Sequence, residues 1–155
     1  MLAERLDRRS VATVVEGTHG TIAEPGHVYL APGGRHMTIG RASGRLVIQL
    51  NDDPLVNFCR PSVDVLFSST ASVLGANQLA VMLTGMGQDG LVGCTNLAAA
   101  GAEIIAQDEA TSVVWGMPGC VAQAGLANLV IPINAIGSAV ARRVALNKTL
   151  ERQPA

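Results

Sequence analysis

The segment TGMGQDG at residues 84–90 holds the residue types whose spacing suits chemistry. Gly85, Gly87 and Gly90 follow the pattern G-x-G-x-x-G between an apolar strand-like run and a helix-like run. Such glycines let a pyrophosphate approach the amides at a helix N-terminus, where the helix dipole favours anions. Asp108 lies 18 residues after Gly90, at the end of the next predicted strand, where a dinucleotide fold holds its ribose-binding acid. One interpretation is therefore a nucleotide site.

Asp89, inside the same loop, supports two other interpretations. Its carboxylate would compete with a phosphate for the loop amides, which disfavours a nucleotide. A carboxylate held by helix N-terminal amides stays ionised and can orient an imidazole, as the acid of a Ser-His-Asp triad does. Free amides of the loop would then serve as an oxyanion hole. The simplest interpretation makes Asp89 the N-cap of the following helix, and spacing alone favours that cap.

The sequence around this loop predicts a run of βα units. LAVMLT (79–84) and AEIIAQ (102–107) are continuous apolar runs, typical of strands that helices bury on both faces of a parallel sheet. A helix is predicted from Asp89 to Ala100, and a period of 3.6 residues predicts another between Pro61 and Gly75. A short helix, the strand LVIPI and a terminal helix follow. The terminal helix is predicted to turn Ile136, Val140 and Val144 inward.

The N-terminal third of the chain is richer in strands and turns. A short amphipathic helix precedes the predicted strands VATVV (11–15) and HVYLAP (27–32). HMTIG and RLVIQL (45–50) resemble two arms of a hairpin. The predicted fold is α/β and doubly wound, with a mostly parallel sheet and an antiparallel hairpin at its edge.

Composition excludes several classes of protein. The chain has 155 residues, which suits one domain. Apolar residues make up 48% of it and charged residues 15%, a composition that excludes intrinsic disorder. A net charge of −1 without a dense basic cluster argues against nucleic acid as a partner. Leu126 to Leu146 is interrupted by one proline and two arginines, so no membrane insertion is expected. The first residues lack the apolar core of a signal peptide, which predicts a cytoplasmic location.

Cysteine and histidine patterns give no sign of a metal or disulfide. Three cysteines without C-x-x-C spacing are interpreted as buried, reduced thiols: Cys59, Cys94 and Cys120. The three histidines and the nearby acids form no metal-ligand pattern: His19, His27, His36, Asp52, Asp53 and Asp64. Surface, hydrogen-bonding or capping roles are predicted for them, and neither a metal nor a cofactor is expected.

Several longer segments carry a family resemblance. They are MLAERLDR (1–8), HVYLAPGGRHM (27–37), RPSVDVLF (60–67), VMLTGMGQDG (81–90) and IAQDEATSVVWGMP (105–118). From residue 2 to residue 148 the chain resembles the catalytic domain of the bacterial chemotaxis protein-glutamate methylesterase, CheB. The resemblance implies that Asp89 is the triad acid and that the Met86 backbone amide contributes to the oxyanion hole. It also implies hydrolysis of glutamate methyl esters, and deamidation of glutamines, on the cytoplasmic helices of methylated chemoreceptors, without a cofactor.

Two motifs of that family are absent from this sequence. The family's serine lies in a G-x-S-T-G-G segment, and its histidine lies in a Q-H-M segment shortly before the helix that reads LAERLDR here. Residues 1–150 are therefore interpreted as the C-terminal portion of a methylesterase catalytic domain, with 151–155 as a tail. Such a chain is predicted to be inactive alone and to self-associate through the seam left by central strands. A non-catalytic receptor- or partner-binding module is the alternative, with a nucleotide-binding βαβ domain more remote.

Overall fold

Five helices and seven strands form the described part of the protein. The computed structural model describes residues 2–150, and side chains up to residue 145. The predicted tail at 151–155 lies outside these residues. The helices are α1 Leu2–Asp7, α2 Val63–Leu74, α3 Leu91–Ala99, α4 Met117–Gln123 and α5 Ile133–Leu150. The strands are β1 Thr13–Glu16, β2 His27–Leu30, β3 His36–Ala42, β4 Arg45–Asn51, β5 Leu79–Met82, β6 Glu103–Gln107 and β7 Leu129–Ile131.

The second half of the chain is a layered α/β unit around β6. Strands β5, β6 and β7 run parallel in that order, with Val81 opposite Ile105 and Ile105 opposite Leu129. Helices α3 and α4 pack on one face through Leu97 and Val121, and α5 covers the other. Ile105 is fully buried because helices lie on both faces of β6. The continuous apolar runs of the sequence predicted this parallel arrangement.

The first half contains two strand pairs. Strands β1 and β2 are parallel, whereas β3 and β4 form an antiparallel hairpin whose turn residues Ser43 and Gly44 have φ of 49° and 77°. A two-residue turn with positive φ matches the right-handed twist of hairpin strands. The α/β class with parallel strands and an antiparallel hairpin is confirmed. Within the described residues, the parallel strands form two separate sheets, β1-β2 and β5-β6-β7.

Two details of the helices differ from the sequence predictions. Helix α3 begins at Leu91 rather than at Asp89, because Gly90 takes a left-handed φ of 97°. Val144 is 48% exposed. Its neighbour Arg143 pairs with Glu103, the first residue of β6, which places this part of α5 beside the amino end of that strand.

The cysteines and the membrane prediction are also tested. All three thiols are free, and Cys94 is buried as predicted, but Cys120 is only half-buried and Cys59 is exposed. Cys59 lies in the irregular segment before α2, where no packed layer covers it. In the part of the chain that the structure describes, no helix is long and apolar enough to cross a membrane.

Candidate active site at the Asp89 loop

The loop that joins β5 to α3 turns Asp89 into the interior. Asp89 is 6% exposed, although the preceding residues Met86 to Gln88 lie at the surface. Gly90 makes the turn possible: its φ is 97°, and a side chain there would collide with the Met82 side chain. The sequence thus places a carboxylate at the carboxyl end of a buried strand and folds it inward.

The Asp89 carboxylate binds the N-terminus of α2. Its Oδ1 accepts hydrogen bonds from Ser62 Oγ at 2.6 Å, from the Asp64 amide at 3.2 Å and from Asn57 Nδ2 at 3.2 Å. Its Oδ2 accepts one from the Val63 amide at 2.7 Å. Four donors therefore converge on one buried carboxylate, and two of them are the otherwise unpaired first amides of a helix.

The prediction that Asp89 caps the following helix is wrong. The N-cap of α3 is Gly90, which makes no side-chain capping bond. The α3 terminus is instead bound by Asp64, whose Oδ1 accepts the Gly93 amide at 2.7 Å. Helices α2 and α3 thus exchange caps. Asp89, which precedes α3, binds the N-terminus of α2, and Asp64, in the first turn of α2, binds the N-terminus of α3. Spacing in the sequence favours Asp89 as a cap of α3, whereas packing in the folded chain brings its carboxylate to the N-terminus of α2.

Asn57 lies between the two carboxylates and donates to both. Its Nδ2 is 2.7 Å from Asp64 Oδ2 and 3.2 Å from Asp89 Oδ1. The residue has a φ of 51°, in the left-handed region that asparagine tolerates better than most residues. The amide group separates two buried negative charges and satisfies an oxygen on each.

The hydrogen bonds decide the charge state of Asp89. Burial alone would raise the pKa of this carboxyl group. The Ser62 hydroxyl, the Val63 and Asp64 amides and the Asn57 side chain outweigh burial and hold the pKa below the ordinary aspartate value. The group is therefore a carboxylate at neutral pH, as an acid that stabilises an imidazolium must be.

A second loop, residues 108–116, supports the Asp89 loop from the side. Thr84 Oγ1 donates to the Val114 carbonyl and accepts from the Val114 amide, each at 2.9 Å. Gly85 accepts from the Met117 amide at 2.8 Å. Gln107, which is 2% exposed, connects the loops by accepting from the Thr84 amide at 2.8 Å and donating to Thr111. The Asp89 loop and this second loop therefore stabilise each other directly.

Met86 occupies the exposed crest of the loop. The residue is 85% exposed, and within the described residues its backbone N–H has no hydrogen-bond acceptor. Gly87, which follows it, has a φ of 86°, so the backbone reverses at the crest. A free amide at such a turn is available to bind an oxygen anion.

The three histidines have other partners than Asp89. His36 is fully buried, with Nδ1 accepting the Ser62 amide at 3.2 Å and Nε2 donating to the Pro54 carbonyl at 3.1 Å. His19 Nδ1 accepts the Leu50 amide at 3.1 Å. His27 is exposed and stacks on a tyrosine. These are the hydrogen-bonding and surface roles that the sequence predicted, and no metal-binding group occurs among the described residues.

The geometry disfavours the nucleotide interpretation. The Gly93 amide near the start of α3, which an incoming phosphate would need, is already bound by Asp64. The other expected contact is also occupied, because Asp108 Oδ1 accepts the Thr111 amide at 3.0 Å and the Thr111 hydroxyl at 2.5 Å. Both groups of the dinucleotide pattern thus have structural partners within the chain.

Comparison with known proteins shows the family of the chain. Residues 1–140 match the CheB methylesterase family. The chain belongs to this family. It is 53% identical over 142 residues to the protein-glutamate methylesterase/protein-glutamine glutaminase of group 2 operon of Rhodopseudomonas palustris. It is 52% identical over 143 residues to protein-glutamate methylesterase/protein-glutamine glutaminase 2 of Caulobacter vibrioides. Each alignment covers 92% of this chain. The aligned part is 36% of the Rhodopseudomonas relative and 41% of the Caulobacter relative.

A solved structure confirms the fold. The CheB methylesterase catalytic domain of Thermotoga maritima superposes with a TM-score of 0.85 at 38% sequence identity. The match covers 87% of this chain and 71% of the Thermotoga chain. The described fold is thus a large part of a methylesterase catalytic domain, and the chain spans less than half the length of the curated relatives.

Three residues of the Asp89 network were not assigned to the site from sequence. Asp64 was interpreted as a surface or capping residue; it does cap a helix, but it is 5% exposed. Ser62, directly before a predicted helix, carries the usual signal of an N-cap, yet its hydroxyl donates to Asp89 instead. Asn57 carries no recognisable signal, because its role depends on two carboxylates that lie 7 and 32 residues away in sequence.

Proposed function

We propose that this chain supplies the acid and part of the oxyanion hole of a protein-glutamate methylesterase and protein-glutamine glutaminase. The observation that carries the proposal is the buried, ionised Asp89 carboxylate, whose Oδ2 accepts a single hydrogen bond, from the Val63 amide. A carboxylate oxygen has lone pairs for two donors, so Oδ2 has capacity for an imidazole N–H. Met86 places a free amide three residues away in the same loop.

The reaction divides between this chain and the segment that carries the family's serine and histidine. The serine oxygen attacks the ester carbonyl carbon while the histidine takes the serine proton. Asp89 accepts the other ring N–H and stabilises the imidazolium, and the Met86 amide donates to the oxyanion. The histidine then returns the proton to the leaving group, which departs as methanol from an ester or as ammonia from a glutamine. Water attacks the acyl-enzyme by the same route and releases glutamate.

The substrates proposed for the assembled enzyme are the methylated cytoplasmic helices of chemoreceptors, which would place the protein in the cytoplasm. Support comes from the family resemblance of the Asp89 and 105–118 segments and from the names of the relatives. The chain alone is proposed to self-associate, because two parallel sheets end in unpaired strands within the described residues.

The test is a methyl-ester hydrolysis assay on a full-length enzyme that contains these residues, with Asp89→Asn as the variant. The expected result is a loss of about 10⁴-fold in kcat, as when the triad aspartate of a serine protease is replaced. The lost group is the one that orients the imidazole and stabilises its positive form.

Asp64→Asn is the matched control. Asp64 is buried in the same network and also caps a helix, so its replacement perturbs packing in a similar way. It leaves the Asp89 carboxylate in place, and activity per folded molecule is expected to fall by less than about tenfold. Equal losses in the two variants would assign Asp89 a structural role only.

A further inference from the structure

The peptide bond between Gly85 and Met86 carries both an anchored carbonyl and the free amide of the crest. The Gly85 carbonyl accepts a hydrogen bond from the Met117 amide at 2.8 Å, whereas the Met86 N–H has no acceptor within the described residues. In a trans peptide such as this one, the C=O and N–H bonds point in opposite directions. Anchoring the carbonyl at Met117 therefore turns the Met86 N–H away from α4.

The Met117 amide that holds this carbonyl has a fixed position because it belongs to the first residue of α4. The helix, Met117–Gln123, packs against β6 and α3. Amides in the first turn of a helix have no acceptor within their own helix, so they are available to a carbonyl from another segment. The Gly85 oxygen is that acceptor, and the start of α4 thereby sets the plane of the peptide.

Gly116, directly before α4, packs against the same peptide. A Cβ atom added at Gly116 would lie 2.8 Å from the Gly85 oxygen, 2.9 Å from the Gly87 nitrogen and 3.0 Å from the Gly87 oxygen. All three are backbone atoms, so no flexible side chain is available to move aside. Gly116 itself has a φ of −75° and a ψ of −73°, close to the right-handed helical region that any residue adopts. The neighbouring crest, and not the backbone angles of residue 116, therefore requires a glycine here.

The second loop holds the crest as well. The Gly85 amide donates to the Val114 carbonyl at 3.1 Å. The peptide is thus fixed between the second loop and the start of α4, while Met86 is 85% exposed on the outer side. A side chain at Gly116 would push the crest outward, because α4 is packed against its neighbours and the crest has space on its outer side within the described residues.

We propose that Gly116 is a positioning residue for the oxyanion hole, because its missing side chain lets the start of α4 set the orientation of the Gly85–Met86 peptide. The proposal rests on the oxyanion role proposed above for the Met86 amide. Such a donor stabilises the oxyanion when it lies about 2.7–3.1 Å away, so an outward shift of the crest weakens the bond. The oxyanion forms only as the ester carbonyl is attacked, and a displaced donor therefore lowers kcat rather than raising KM.

The test measures methyl-ester hydrolysis by a full-length enzyme that contains these residues, with Gly116→Ala as the variant. Its kcat is expected to fall by at least about tenfold, since complete removal of an oxyanion donor costs about 10²–10³ in kcat. Its KM is expected to change by less than about twofold. Gly137→Ala is the matched control: it adds the same methyl group at an exposed position of α5, where the added Cβ meets no neighbouring segment, and both constants are expected to stay unchanged.

Hydrogen exchange followed by NMR gives a second measurement, on the unchanged enzyme. The Met117 amide is expected to exchange at least about tenfold more slowly than the Met86 amide, after each is corrected for its intrinsic rate. The reason is that only the Met117 amide is hydrogen-bonded within the described residues. This comparison does not depend on whether Gly116→Ala folds.

Either of two results would overturn the proposal: a kcat of Gly116→Ala within about twofold of the unchanged enzyme, or equal exchange of the two amides. The Asp89→Asn variant reports on the proposed function separately. Loss of activity in Asp89→Asn without loss in Gly116→Ala would mean that only the positioning role fails. Near-normal activity of Asp89→Asn would instead reject the role proposed for the carboxylate, whatever the effect at Gly116.

Discussion

Replacing Asp89 by asparagine tests how much the exchanged caps contribute to the free energy of unfolding of this chain. As a simple helix cap, Asp89 would be replaceable by asparagine at a cost under about 1 kcal/mol, since the two residues cap almost equally well. In the observed network both carboxylate oxygens face donors, Ser62 and Asn57 among those at Oδ1 and the Val63 amide at Oδ2. Asparagine keeps one oxygen and must turn its NH₂ group toward the other donors.

The magnitude follows from the better of the two asparagine orientations. With its oxygen at the Oδ1 position, the NH₂ group faces the Val63 amide, which loses a partner at 2.7 Å. Losing a hydrogen bond to a charged group costs about 1.5–3 kcal/mol. The remaining bonds to Ser62, Asp64 and Asn57 lose their charge-assisted strength. Removing the charge also relieves repulsion from the Asp64 carboxylate, and the net loss expected is about 3 kcal/mol.

The assay is urea unfolding at several pH values, with Asp52→Asn as the control. Asp52 forms a surface ion pair with Arg35 and is 68% exposed, so its replacement is expected to change stability by less than about 1 kcal/mol. The folded-state pKa of Asp89 is lowered, so its ionised form stabilises the fold above the unfolded-state pKa of about 3.9. That stabilisation is lost as pH falls through the folded-state pKa. The cost of Asp89→Asn should therefore shrink in acid.

Two outcomes would refute this reasoning. One is a cost of Asp89→Asn no larger than that of Asp52→Asn at neutral pH. The other is a cost that stays constant between neutral and acid solution, because a neutral residue would then replace Asp89 equally well in either charge state. Either result would mean that the four donors do not depend on the negative charge.

Three further predictions concern the chain as it stands. It is expected to hydrolyse methyl esters far below an enzymatic turnover of about 1 per second, since the sequence has no G-x-S-x-G nucleophile turn; serine-dependent turnover at that rate would contradict this. It is expected to self-associate through the unpaired strand edges, and light scattering that gives a 16.0 kDa monomer at every concentration would argue against it. Cys59 is expected to react with a thiol reagent at pH 8 while Cys94 does not, because burial and the nearby Asp64 carboxylate raise the pKa of Cys94 to about 12. Equal labelling of both would show that the α3 face opens readily.

Sequence pattern was sufficient where structure depends on near neighbours. The apolar run of β6 is buried on both faces, and that of β5 is buried on one face and half-buried on the other. The errors lie where distant segments meet. Spacing alone favoured Asp89 as the cap of the adjacent helix, whereas its carboxylate binds α2, 25 to 27 residues earlier in sequence. The described parallel strands form two separate sheets, which agrees with the seam that the sequence predicted.

Helix α2 connects the candidate catalytic group to the β3-β4 hairpin. Its first amides hold the Asp89 carboxylate, and further along the helix Ser69 Oγ accepts the Ile39 amide of β3 at 3.0 Å. The position of the carboxylate therefore depends on how α2 packs against the hairpin. Because a misplacement of about 1 Å can cost about 10²-fold in rate, a substitution that loosens this packing is expected to lower the activity of the assembled enzyme without touching Asp89.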